Sequence, residues 1–67
     1  MSYKELETSY GNVSVRYAML EDNYSHLHDG LEIYIDDDEE YVRVFEYYDI
    51  EDLNENDVDE LINKWRS

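Results

Sequence analysis

At 67 residues the chain is a single small domain near the lower limit for independent folding, and it has no cysteine with which to build a disulfide or a thiolate metal site. Nineteen acidic residues against five basic ones leave a net charge of −14, a sign that excludes direct binding to DNA, RNA or anionic membrane, since phosphate contacts need Lys and Arg. Eight Tyr, one Phe, one Trp and no proline, set in periodic apolar segments, exclude the disordered acidic tail that such a charge otherwise suggests.

The opening SYKELETSY has no apolar h-region, so it does not read as a secretory signal, and no apolar run approaches the roughly 20 residues of a membrane span. With no cysteine to call for an oxidising compartment, a cytoplasmic protein is expected. KELETSY alternates loosely, with Leu6, Thr8 and Tyr10 on one side, and meets Gly11-Asn12, a pair suited to the centre of a type II′ hairpin turn. VSVRYAML then alternates as a half-buried strand, Val13, Val15, Tyr17 and Met19 inward, Ser14, Arg16 and Ala18 outward.

EDNYSHLHDG reads as a polar loop closed by Asp29-Gly30. LEIYID is a third strand, with Leu31, Ile33 and Ile35 inward and Glu32, Tyr34 and Asp36 outward. An acidic turn leads to YVRVFEYY, a strand apolar on both sides: Val42 and Val44 on one, Tyr41, Arg43, Phe45 and Tyr47 on the other. In LNENDVDELINKWRS the period changes: Val58, Leu61, Ile62 and Trp65 stand at i, i+3, i+4 and i+7, the stripe of an amphipathic helix. Asn54 or Asn56 can cap it, its acids lie toward the N-terminal end and Lys64 and Arg66 toward the C-terminal end, as the helix dipole favours. The expected fold is α+β: a four-stranded antiparallel meander with one C-terminal helix on one face (ββββα), in one domain spanning residues 1–67.

Chemistry-bearing motifs are few. Asp52, Asn54 and Asn56 imitate the first positions of a calcium loop, but position 6 holds Asp57 where the turn needs Gly, and position 12 holds Asn63 instead of Glu. His26 and His28, with Asp29, could offer three zinc ligands, a set too thin without further Cys or His. Ser25 beside His26 is adjacency in sequence, and a chain this short has little room for a core and a water-excluding pocket together. No enzyme, cofactor or metal site is expected.

The charge is concentrated. Residues 29–60 hold fifteen acids against Arg43 alone, densest in IDDDEEY at residues 35–41, and such a block lowers the stability of the compact state by repelling itself. Same-face residues on a strand lie about 6.6–6.8 Å apart, and helix neighbours at i, i+3 or i+4 about 5–6 Å apart, comparable to phosphates along a nucleic-acid backbone. Glu32, Asp36, Glu40, Glu46, Asp52, Glu55, Asp59 and Glu60 are therefore expected to form a phosphate-like array on the outer sheet face and one helix flank. Asp37, Asp38 and Glu39 extend it at the turn. Tyr34, Tyr41, Tyr47 and Tyr48 lie among these acids, and Tyr suits interfaces through its large, stiff contact area and polar tip.

In size, composition and the acidic half from Asp29 to Glu60, the chain resembles very small acidic α/β proteins of phages and mobile elements that act as DNA mimics, anti-CRISPR proteins among them. The resemblance covers the whole chain in character and rests on no residue-level motif. It implies a partner that is itself a basic nucleic-acid-binding protein, such as a nuclease, a restriction enzyme or a replication or nucleoid protein. Glu32, Tyr34, Asp36 to Glu40, Glu46, Tyr47, Asp52, Glu55, Asp59 and Glu60 are the expected contacts. An immunity protein or antitoxin against a nuclease toxin would use the same electrostatics. A homodimer joined through the aromatic strand face, with charge serving solubility, is the third reading.

Overall fold

The computed structural model describes residues 3–66 and has the expected α+β architecture: four antiparallel strands in the order β1-β2-β3-β4, followed by one helix. The strands are β1 (Tyr3–Thr8), β2 (Gly11–Glu21), β3 (Leu27–Ile35) and β4 (Glu40–Val44); a 3-10 turn (Ile50–Asp52) leads to helix α1 (Glu55–Trp65). Met1, Ser2 and Ser67, which fall within the expected domain and helix ranges, lie outside the described residues.

Alternation builds the core. Val13 and Val15 of β2, Leu31, Ile33 and Ile35 of β3, and Val42 and Val44 of β4 project from one sheet face, where Ile50, Leu53, Val58, Leu61 and Ile62 cover them. The β-branched residues suit a pleated surface, and burying each such side chain contributes about 1.5–3 kcal/mol. Val15, Leu31, Ile33, Ile35, Val44, Val58 and Ile62 are wholly shielded from solvent. Asn54 starts the helix with a capping box: its side chain accepts from Asp57 N (2.9 Å), and the Asp57 carboxylate accepts from Asn54 N (3.1 Å).

Several boundaries differ from the sequence expectation. The first turn is Ser9-Tyr10, with Gly11 and Asn12 already in β2. The Thr8 hydroxyl takes over the turn by accepting from Tyr10 N (3.1 Å) and donating to Gly11 O (3.1 Å). Gly11 is needed all the same: it has φ +88°, and a Cβ there would stand 2.3 Å from an Asp37 carboxylate oxygen.

The loop expected at residues 21–30 is shorter, because β3 starts at Leu27 and pairs back to Glu21. Asp22 closes it as an Asx turn, accepting from Tyr24 N (2.8 Å) and His26 N (3.0 Å). Gly30 is accordingly a strand residue, kept small by Val44 O, which a Cβ would meet at 2.3 Å. Met19, expected inward, is 61 % exposed: its pair with Asp29 lies beyond Leu31↔Val44, the last pairing of β4, so the β2–β3 ribbon overhangs the core there.

The fourth strand ends at Val44, four residues before the expected end. Phe45 leaves the sheet to pack on Trp65 (centroids 5.9 Å apart), and Tyr47 stacks on Tyr17 (5.5 Å). The linker this frees is fastened across the core edge. Ile50 N donates to the Tyr17 hydroxyl (3.1 Å), and Lys4 Nζ donates to the carbonyls of Glu51 (3.2 Å) and Leu53 (2.8 Å).

Candidate partner-binding surface

The sheet and the helix divide the expected contact residues into three groups. The first is the β3–β4 turn, where Asp36, Asp37, Asp38 and Glu39 are exposed and Glu40 is half-buried. Asp36 N donates to Asn12 O (3.0 Å) and Glu39 N to Asp36 O (3.3 Å), with Glu39 at φ 51°, so the carboxylates stand on a closed turn. Part of their charge is already used. Arg66, just past the helix, puts Nη2 2.8 Å from Asp38 Oδ2 and Nε 2.8 Å from Glu40 Oε2, the latter pair not aligned as a hydrogen bond. The same guanidinium lies over the Tyr10 ring at 5.6 Å. Hydrogen bonding to Asp38, with the nearby charge of Glu40, holds the Arg66 pKa above its ordinary value.

The second group surrounds a hollow of about 440 Å³ between the linker and the helix, which includes Glu46, Asp49, Asp52, Asp57 and Glu60 in its wall with Lys64 and Tyr48. Three of these acids have structural work. Glu46 accepts from Lys64 Nζ (3.0 Å), the Tyr48 hydroxyl (3.0 Å) and Trp65 Nε1 (3.4 Å), and the Lys64 bond foremost holds its carboxyl below the usual range. Asp49 caps the 3-10 turn through Glu51 N (3.1 Å), and Asp57 closes the capping box. Asp52 and Glu60 make no ion pair among the described residues and are exposed, as is Glu55 on the first turn of the helix. Asp59, half-buried, accepts from Ser9 N (3.2 Å) and ties the helix to the first hairpin.

The third group stands apart. Glu32 and Tyr34 belong to the solvent face of the sheet, which is not the acidic surface the sequence led us to expect. Glu32 is ion-paired with Arg16, whose Nε donates to Glu32 Oε1 (2.9 Å), and Tyr34 packs on Tyr41 with ring centroids 4.7 Å apart. Partial burial, then the charge of Glu39, raises the Tyr34 hydroxyl pKa. Tyr47 is 63 % exposed but lies on the Tyr17 stack, off the sheet. The residues missed in the sequence are Arg16 and Arg43: both occupy outward strand positions, the one signal that this face would set cations among its acids.

The two histidines lie beside a different carboxylate from the one adjacent in sequence. Asp22, not Asp29, meets His28 Nε2 (2.7 Å), with His26 Nδ1 at 3.8 Å from the same oxygen. Among the described residues no group of three His, Cys, Asp or Glu side chains is arranged to hold a metal ion, and no helix is long and apolar enough to cross a membrane. Neither a family model, nor a curated protein, nor a solved structure matches the chain.

Proposed function

We propose that the protein binds and blocks a basic nucleic-acid-binding protein, presenting carboxylates where that partner takes phosphates. The observation that carries this reading is the set of exposed acids without a cation partner among the described residues, Asp52, Glu55 and Glu60, beside the hollow walled by Glu46 and Asp49. The helix dipole accounts for Glu55 and Asp57 in the first turn. It does not account for Glu60 beyond that turn or Asp52 before it. In a domain of this size, whose core supplies about 3–5 kcal/mol, repulsion among unpaired acids is a cost that a binding role offsets.

The turn acids Asp36, Asp37 and Glu39 form a second pole of the same charge, beyond the far end of the helix. Steering by such a field speeds encounter with a basic cleft. Tyr48, at the edge of the hollow, adds contact area that slows release. The role is binding rather than catalysis, with no cofactor, in the cytoplasm where such partners work. Inhibitors carried by phages or mobile elements, such as anti-CRISPR proteins, are the kind this reading fits.

The test is capture from bacterial lysate on the immobilised protein, with separate elution by salt and by competing duplex DNA. Recovery of a basic DNA-binding protein by both routes, and its loss with the variant Asp52→Asn/Glu55→Gln/Glu60→Gln, is the expected result. A partner that duplex DNA does not release contradicts mimicry and points to a cognate toxin instead.

A further inference from the structure

We propose that the solvent face of the sheet is a self-complementary interface that joins two copies of this chain about a two-fold axis parallel to the strands. The register lays two rows of outward side chains across all four strands. One row runs Tyr3, Arg16, Glu32, Arg43 from β1 to β4, and the next runs Glu5, Ser14, Tyr34, Tyr41. Stacking two such faces about that axis keeps each row at its own height and reverses its order, so β1 lies over β4 of the second copy and β2 over β3.

The chemistry then matches across both rows. Arg16 meets Glu32 of the second copy, and Arg43 meets the Tyr3 ring. Glu5 meets the Tyr41 hydroxyl, and Ser14 meets that of Tyr34. A two-fold contact requires this reciprocity, since each residue is used twice.

Three observations favour a second copy as the occupant. The helix covers only the opposite face, leaving Tyr3 and Tyr41 each 56 % exposed around a hollow of about 450 Å³. Arg43 has no anionic partner among the described residues, although the chain carries nineteen acids. Most telling is the charge. On a chain of net −14, these two rows hold two arginines against two glutamates, so a second copy laid over them meets balanced charge, with Glu7 of the same face lying outside them on the next pair of β1 and β2. A standard interface needs about 800 Å² per partner, a sixth of the 4788 Å² surface, and aligned sheets pack about 10 Å apart near −30°. The free acids of the linker and helix lie away from this face and stay available to another partner.

Sedimentation equilibrium at about 100 µM protein, where a micromolar dimer is nearly all associated, tests the pairing with four samples: wild type, Arg16→Glu, Glu32→Arg, and the two variants mixed. Wild type is expected to be dimeric. Each variant alone faces its own charge across the axis and is expected to associate about a hundredfold more weakly. The mixture, which restores opposite charges, is expected to form the heterodimer. Arg43→Glu, a change at a side chain with no ion pair to lose, is the control against misfolding and is expected to weaken the dimer too. A monomeric wild type, a dimer indifferent to these variants, or a mixture that stays monomeric would overturn the proposal. None of those outcomes touches the acidic-surface reading, which uses other residues.

Discussion

Arg66 holds Asp38 at 2.8 Å across the end of the molecule, tying the residue after the helix to the densest acidic stretch of the chain. The turn IDDDEEY is therefore neither a free solvated loop nor a fully bare charge cluster. Asp38 and Glu40 are anchored, and Asp36, Asp37 and Glu39 are left to solvent.

Arg66→Gln should accordingly act in two directions. It removes a surface ion pair, a contact of small worth, so thermal melts should show a drop of no more than a few degrees. It also frees two carboxylates, so association with a basic partner, followed by stopped flow, should be faster. An unchanged rate would show that the turn lies outside the steering field.

The acid field should make stability rise with salt. The Debye length falls from about 8 Å at 0.15 M to about 3 Å at 1 M, which screens the unpaired acids of the linker and helix more than it weakens the few ion pairs. Melting followed by circular dichroism should move upward between these conditions. A constant or lower midpoint would mean that the charges are dispersed.

Glu46 gives a pH signature. Its folded pKa lies below the ordinary 4.5 because Lys64, Tyr48 and Trp65 donate to the carboxylate. A depressed carboxyl contributes stability that is complete above the unfolded value and lost as pH falls through the folded one. Glu46→Gln should therefore be less stable than wild type in urea melts at neutral pH, with the gap closing in the acid range below 4.5. Taking the difference removes the general gain from discharging the other acids. A gap that persists unchanged at low pH would contradict the assignment.

The core leaves little margin. Ile33 and Ile62 face each other's layers and are wholly shielded from solvent. Ile33→Val should cost about 0.5–1.5 kcal/mol and Ile33→Ala about 2–5, the latter comparable to the about 3–5 kcal/mol a core of this size supplies. The alanine variant should be largely unfolded by circular dichroism at room temperature, and the valine variant folded with a lower midpoint.

Local pattern made the fold legible in the sequence. Period-two alternation placed Val13, Val15, Leu31, Ile33, Ile35, Val42 and Val44 on one face, and the helical stripe supplied Val58, Leu61 and Ile62; all are core. What pattern could not show was where strands stop. Tyr41 to Tyr48 has strand composition throughout, yet pairing ends at Val44 because Phe45 finds Trp65 and Tyr47 finds Tyr17, contacts decided by the tertiary fold. The candidate surface was legible in composition and not in arrangement. Glu32 looked like part of an acid array until the register placed Arg16 beside it, sixteen residues away in sequence. Lys4, Lys64 and Arg66 likewise found their partners only through the fold.

The central claim is that this acidic surface takes the place of nucleic acid on its partner. The most direct measurement uses the basic protein captured from lysate, bound to a fluorescent duplex and titrated with this protein while anisotropy is read. Loss of anisotropy to the value of free duplex, at a concentration that rises for Asp52→Asn/Glu55→Gln/Glu60→Gln, is the predicted result. Anisotropy that stays high or rises, with both proteins on the duplex together, would contradict it.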